Sequence, residues 1–251
     1  MKNIRNNILL ALMSIVVVFI LFEIFFDLKE YIFKRNIAKA YESVGNIKFS
    51  VVKDSIDSLP AMEIFSGSCF IVLWKNQKII ITVNHLQKHA KAIADSLNEK
   101  KIKTKIRIVI RFPNDKSCEA DTTFGDNIKD FLIIIPKKPN TLPPPIEFGN
   151  SDKIQILDDV VAIGRHYSLP ILITSGKVID PLMPAIFMSI PMFDYCIIST
   201  AQVTYGSSGG ALLNKSGQVI GINIGFSTEN KILISLPINQ LKNFLKENYN
   251  P

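Results

Sequence analysis

Short apolar runs broken by turn residues fill most of this chain, with one long exception at the N-terminus. Residues 8–26, Ile8 to Phe26, are apolar apart from Ser14 and Glu23. As a helix they would measure about 28 Å, close to the thickness of a bilayer core. A helix apolar on every side has no amphipathic face with which to dock on a water-soluble domain. Lys2 and Arg5 precede it, and the chain continues Phe25-Phe26-Asp27-Leu28-Lys29-Glu30 without a small-residue cleavage site. The pattern therefore predicts a short tail over 1–7, an uncleaved transmembrane signal anchor over 8–26 and a charged helical stalk over 27–45. Beyond it, residues 106–112 alternate as Ile106, Arg107, Ile108, Val109, Ile110, Arg111, Phe112, the signature of a half-buried strand. Residues 85–98 read as a helix. Turns are expected at Asn76-Gln77, Asn114-Asp115 and Ser216-Gly217. Pro143-Pro144-Pro145 reads as a stiff connection between two halves. No internal repeat is evident.

Composition fits this outline. The chain has 251 residues, 47% of them hydrophobic, which is enough for one large all-β domain over 46–248. Net charge is +7, and residues 86–111 concentrate Lys88, Lys91, Lys100, Lys101, Lys103, Lys105, Arg107 and Arg111 against Asp95 and Glu99. That segment lacks the interleaved aromatics of a nucleic-acid surface. It reads instead as a solvated face, compatible with anionic lipid headgroups. Cys69, Cys118 and Cys196 are three, so no disulfide framework is encoded and at least one thiol is unpaired.

Candidate chemistry centres on Tyr205-Gly206-Ser207-Ser208-Gly209-Gly210. Glycines around a serine permit a sharp turn. Such a turn can aim the N–H groups of Gly206 and Ser208 at one point, where they would stabilise a developing oxyanion. It also exposes the Ser208 hydroxyl as a nucleophile for a histidine base. A plain glycine-rich hairpin is the competing reading. Upstream, Ile80-Ile81-Thr82-Val83-Asn84-His85 ends an apolar strand in a histidine, and Lys129-Asp130-Phe131-Leu132 opens another behind an aspartate. Asp121 and Asp126 compete for the carboxylate role. Asp130 is preferred because it borders a buried strand that can shield the pair. His85 and His89, four apart on a helix, would share a metal only with a third ligand that the sequence does not suggest.

These segments stand in the order His85, Asp130, Ser208, and with their contexts they resemble the trypsin-like serine proteases of the HtrA/Deg branch over roughly residues 44–246. Gly67-Ser68-Cys69-Phe70-Ile71 is similar to that family's Gly-Ser-Gly-Phe strand, and Thr82-Val83-Asn84-His85 to its Thr-x-x-His. Phe148-Gly149-Asn150-Ser151-Asp152, Val161-Ala162-Ile163-Gly164, Thr174-Ser175-Gly176-Lys177-Val178 and Gly217-Gln218-Val219-Ile220-Gly221-Ile222-Asn223 continue the match in register. Ser207 and Ala211 replace the usual asparagine and proline around the serine, and His166 stands where a Gly-Asn-Pro turn is common. The aspartate that activates trypsin zymogens is absent, since Ser207 holds its place, and Leu86 replaces the cysteine that many trypsins carry beside the histidine.

The resemblance implies an all-β fold of two six-stranded antiparallel β-barrels, with a boundary near 140–150, behind the N-terminal transmembrane helix. It implies a serine endopeptidase, membrane-anchored by the apolar segment 8–26, with His85, Asp130 and Ser208 catalytic and an oxyanion hole at Gly206, Ser207 and Ser208. The substrate pocket would draw on Ala201, Gln202, Val203, Asn223, Ile224 and Gly225. No acidic residue stands there, so cleavage after Val, Ala or Leu is expected. Substrates would be unfolded or misfolded polypeptides, with no metal, no organic cofactor and no nucleic acid. The positive-inside count leaves orientation open; the family implies an extracytoplasmic domain and is compatible with a homotrimer. After Ser208 come 43 residues, whereas a PDZ domain needs on the order of 90, so none is expected. The alternative is an inactive trypsin-like fold serving as a peptide-binding or scaffold module.

Overall fold

A computed structural model describes residues 2–53, 63–113, 115–165, 171–184 and 195–251, with side chains from Met13 onward. His166 and Asn114 lie outside the described residues. Helix α1 (Lys2–Glu42) leads into β1 (Val44–Lys53), β2 (Glu63–Trp74), β3 (Gln77–Val83), helix α2 (His85–Glu99), β4 (Thr104–Arg111), β5 (Ser117–Asp126) and β6 (Phe131–Pro136). These strands close into a barrel in the order β1-β2-β3-β6-β5-β4. A connector over residues 137–158 reaches β7 (Asp159–Arg165), β8 (Ile171–Pro184), β9 (Tyr195–Ser199), β10 (Ala211–Asn214), β11 (Val219–Ser227), β12 (Ile232–Pro237) and helix α3 (Ile238–Asn248). The second set closes as β10-β11-β12-β9-β8-β7, and all neighbours in both barrels run antiparallel.

Local chemistry explains most of the elements. Asn76 stands in the first hairpin, but the loop is Lys75-Asn76, because Gln77 already pairs with Trp74. Both loop residues have positive φ, 44° and 68°, which matches the twist of a two-residue hairpin. Helix α2 buries Leu86, Ala90 and Ala94, one per turn, against the barrel. The near-continuous apolar run of β7 arises because both its faces are covered. Val160 and Ala162 join Val178, Ile197, Leu212, Ile220 and Leu233 in one cluster. Val161 and Ile163 point the other way, into a cluster shared with Ile80, Ile134 and Phe70 of the first barrel. The barrels therefore share an apolar wall.

Both termini strengthen that wall. Helix α3 returns from the second barrel to the first, where Phe244 meets Phe131 edge-on at 5.0 Å. Tyr249 lies 4.9 Å from Phe124 and donates from its hydroxyl to Gln77 Oε1 at 2.5 Å. At the other end, the last turns of α1 bury Ile37 and Ala40. Ser43 follows them, its carbonyl accepting the Ile71 N–H at 3.1 Å and its hydroxyl donating to the Pro144 carbonyl. Asn36 lies against Gly217 in the β10–β11 turn, where φ is +75° and an added Cβ would come within 2.9 Å. Of the anchor expected over 8–26, side chains 8–12 lie outside the described residues. Among the described residues no helix is long and apolar enough to cross a membrane.

All three cysteines are free; Cys69 and Cys196 are fully buried and Cys118 is half-buried. Burial pushes the Cys118 and Cys196 thiols up to about 11, and the Cys69 thiol well above its usual value. The thiolate is the reactive form, so at pH 8 each of the first two should react roughly two orders of magnitude more slowly than an ordinary thiol near 8.5. Ellman's reagent is expected to titrate almost none in the native protein and all three in urea. Rapid native reaction of one thiol would contradict this packing.

Candidate active site

The end of β3 and the turn before β6 meet at His85. Asp130 is buried, and its φ of 51° turns its side chain back toward the start of α2. Aspartate tolerates that left-handed conformation better than most residues. One carboxylate oxygen, Oδ1, accepts the His85 backbone N–H at 2.7 Å. The other, Oδ2, lies 2.7 Å from His85 Nδ1. Asn84 supplies no side-chain cap to α2; its amide nitrogen donates to Asn127 Oδ1 at 2.6 Å. Asp130 thus caps the helix from outside, with its negative charge at the positive end of the helix dipole. In the neutral ring, an Nδ1–H donated to that carboxylate leaves Nε2 as an acceptor.

The two rival carboxylates stand elsewhere. Asp126 Oδ1 accepts the N–H groups of Ile128 and Lys129 at 2.7 and 2.9 Å, which makes it the organiser of the turn. Asp121 is exposed on β5. His89 stacks on Phe65 at 5.6 Å, one turn of α2 beyond His85. No cluster of three metal-binding side chains occurs among the described residues.

Ser208 sits in the turn between β9 and β10. Gly206 (φ 95°) and Gly209 (φ 86°) take conformations that side chains resist, and a Cβ on Gly209 would lie 2.2 Å from the Ser68 carbonyl oxygen. The turn is pressed against the first barrel there, three residues before His85, with Thr82 Oγ1 only 2.4 Å from that same added Cβ. The Ser207 N–H donates to the Thr204 carbonyl at 3.0 Å, so it is not available to an oxyanion. The N–H groups of Gly206 and Ser208 have no such partner among the described residues. Ser207 is buried, its hydroxyl 3.4 Å from the Arg165 carbonyl it donates to. The Ser208 hydroxyl makes no hydrogen bond to a described residue, so it and His85 are not closed into a bonded pair. Nucleophile–base distances in unliganded sites are commonly loose in this way.

This arrangement puts a carboxylate-oriented imidazole beside a serine turn with two unspent N–H donors. The profile of the trypsin-like peptidase domain matches residues 67–222, more than half of the chain. The chain belongs to that family. Serine protease HTRA1A of Danio rerio is 28% identical to it over 204 residues, covering 81% of this chain and 39% of the relative. Serine protease HTRA2, mitochondrial, of Bos taurus is 31% identical over 140 residues, 55% of this chain and 30% of the relative. A probable periplasmic serine endoprotease, DegP-like, of Buchnera aphidicola is 34% identical over 141 residues, 55% and 30%. This trypsin-like peptidase chain thus spans about a third of the length of the curated relatives it matches. The solved structure of the HtrA-type protease AlgW with a decapeptide superposes with a TM-score of 0.65 at 20% identity, covering 86% of this chain and 68% of that one. That likeness extends to the fold.

Around the serine, the expected pocket residues fall into two groups. Ala201 and Asn223 are buried; the Asn223 side chain accepts the Ser235 hydroxyl at 3.3 Å and donates to the Ile163 carbonyl at 3.5 Å. Gln202 is exposed, while Val203, Ile224 and Gly225 are half-exposed, and a Cβ on Gly225 would meet nothing within 4 Å. Tyr205, with 78% of its surface exposed, stands edge-on to Phe226 at 5.3 Å, and sequence reading had not marked this aromatic pair. A concavity of about 1590 Å³ lies elsewhere, between α2 and strands β4 and β5. It gathers Lys91, Arg107 and Arg111 with Asp95, Glu119 and Asp121, and contains none of His85, Asp130 and Ser208.

Proposed function

We propose that this family member is a serine endopeptidase working through His85, Asp130 and Ser208. His85 Nε2 takes the Ser208 proton as the hydroxyl oxygen attacks a peptide carbonyl. The N–H groups of Gly206 and Ser208 stabilise the resulting oxyanion. His85 then protonates the leaving amine, and water hydrolyses the acyl-enzyme by the same route. Asp130 holds the imidazole tautomer and stabilises the imidazolium without taking the proton. The observation that carries the reading is the Asp130 carboxylate gripping both the backbone and the ring of His85.

The full chain should be labelled by an active-site phosphonate at Ser208, with the label lost in Ser208→Ala, and it should digest casein without prior proteolytic trimming. No label on the parent would favour the inactive scaffold reading, to which the unbonded Ser208 hydroxyl is also compatible. Cleavage is proposed to follow Val, Ala or Leu, since Val203, Ile224 and Gly225 are half-exposed and none of the expected pocket residues is acidic. A library digest preferring Lys or Arg would reject that preference.

Anchoring through residues 8–26 belongs to the same proposal. Met13 and Ile15 to Leu21 are all more than half exposed, so α1 presents apolar side chains on every side. Water does not tolerate such a helix, whereas a bilayer does. Alkaline carbonate is expected to leave the full chain in the membrane pellet; release into the supernatant would refute the anchor. An extracytoplasmic placement follows the relatives named as periplasmic.

A further inference from the structure

We infer that Ser68, on the first barrel, is a positioning residue that holds the oxyanion turn of the second. It is fully buried, and every polar atom it owns is engaged. Its backbone N–H donates to the Ser208 carbonyl at 2.8 Å. Its hydroxyl donates to the Gly206 carbonyl at 2.7 Å and accepts the Arg165 N–H at 2.7 Å. Its own carbonyl accepts the Thr82 hydroxyl at 2.7 Å, three residues before His85. The residues whose carbonyls Ser68 grips, Gly206 and Ser208, are the two whose N–H groups have no partner among the described residues and are proposed to hold the oxyanion. Pinning a residue's carbonyl fixes its ψ, and in a glycine turn with φ of 95° little else would.

This explains how the turn is held without the charged contact that a trypsin aspartate would make. Ser207 in that place offers only long, uncharged hydroxyl contacts, donating to the Arg165 carbonyl and accepting the Thr204 N–H, each at 3.4 Å. The neighbouring contacts fit the same account. Gly67 leaves no room for a Cβ, which would lie 2.7 Å from the Ser208 carbonyl oxygen, so β2 lies directly on the turn. Ser68 thus joins the first barrel, the end of β7 and the serine turn at one buried point, and also touches β3, the strand that leads to His85.

The inference rests on the serine-peptidase reading, and three measurements on the full chain separate them. Ser68→Ala keeps the backbone N–H and removes the hydroxyl. Its kcat on a peptide substrate is expected to fall roughly 10²-fold, the scale of a small misplacement of catalytic groups, with KM nearly unchanged. Affinity for a peptide aldehyde, which forms the oxyanion, should fall in parallel with kcat/KM, while a product peptide binds as before. Amide exchange in peptides covering Gly206–Gly209 should quicken while those covering β3 and β12 stay protected. A parent that takes no phosphonate label would sink the peptidase reading, yet the exchange measurement would still decide whether Ser68 holds the turn. A labelled parent with Ser68→Ala equally active, or with exchange raised throughout both barrels, would overturn the positioning role alone.

Discussion

Full-length protein carrying Ser208→Ala is expected to hydrolyse casein about 10⁴-fold or more slower than the parent, and His85→Ala to lose as much, because triad members act as a unit. Removing the hydroxyl leaves an imidazole with no nucleophile to activate, and removing the imidazole leaves a hydroxyl that stays protonated near neutral pH. The double variant should therefore be scarcely worse than either single one. What survives should be the contribution of the Gly206 and Ser208 N–H groups and of substrate binding. Initial rates on a fluorogenic peptide are the direct measurement, with folding checked by circular dichroism. Full activity in Ser208→Ala would remove the serine mechanism.

The second large effect belongs to Asp130→Asn, which should cost about 10⁴-fold in kcat through the tautomer it imposes. The carboxylate accepts twice, from the His85 backbone N–H and from the ring. An asparagine has one oxygen and one NH₂ to offer. If its oxygen keeps the backbone bond, its NH₂ faces Nδ1 and drives the ring proton to Nε2, where it blocks the acceptor that Ser208 needs. If it flips, NH₂ meets N–H. Asp126→Asn should be nearly silent by contrast, because one side-chain oxygen suffices for the amides of Ile128 and Lys129. A dead Asp126→Asn beside an active Asp130→Asn would reassign the carboxylate.

The residues of the proposed site were chosen from residue types and their neighbours alone. A histidine closing an apolar strand, an aspartate opening another and a serine between glycines carry their chemistry in their immediate neighbours. The choice of Asp130 over Asp126 rested on strand burial, and the geometry adds that Asp126 is committed to its own turn. Ser68 was visible only as part of the strand segment Gly67-Ser68-Cys69-Phe70-Ile71, because its proposed role lies in contacts up to 138 residues away. The docking of α1 was hidden for a related reason: Ile37 and Ala40 look no different in sequence from the exposed Ile32 or Leu28. At the first hairpin, Lys75 gives no hint of positive φ, so the loop fell one residue from the expected Asn76-Gln77.

The division of the site between the barrels also sets a clock. Of the proposed triad, His85 and Asp130 belong to the barrel synthesised first, and Ser208 follows Asp130 by 78 residues. At ordinary translation rates that interval is about 4 to 16 s. Throughout it the nascent polypeptide carries a base and no nucleophile. When the serine turn does emerge, its resting place against Ser68 exists only where the earlier half has already folded. On the proposed mechanism a ribosome-bound or half-folded copy is expected to be inactive, with reactivity arriving only once both barrels have been made and joined.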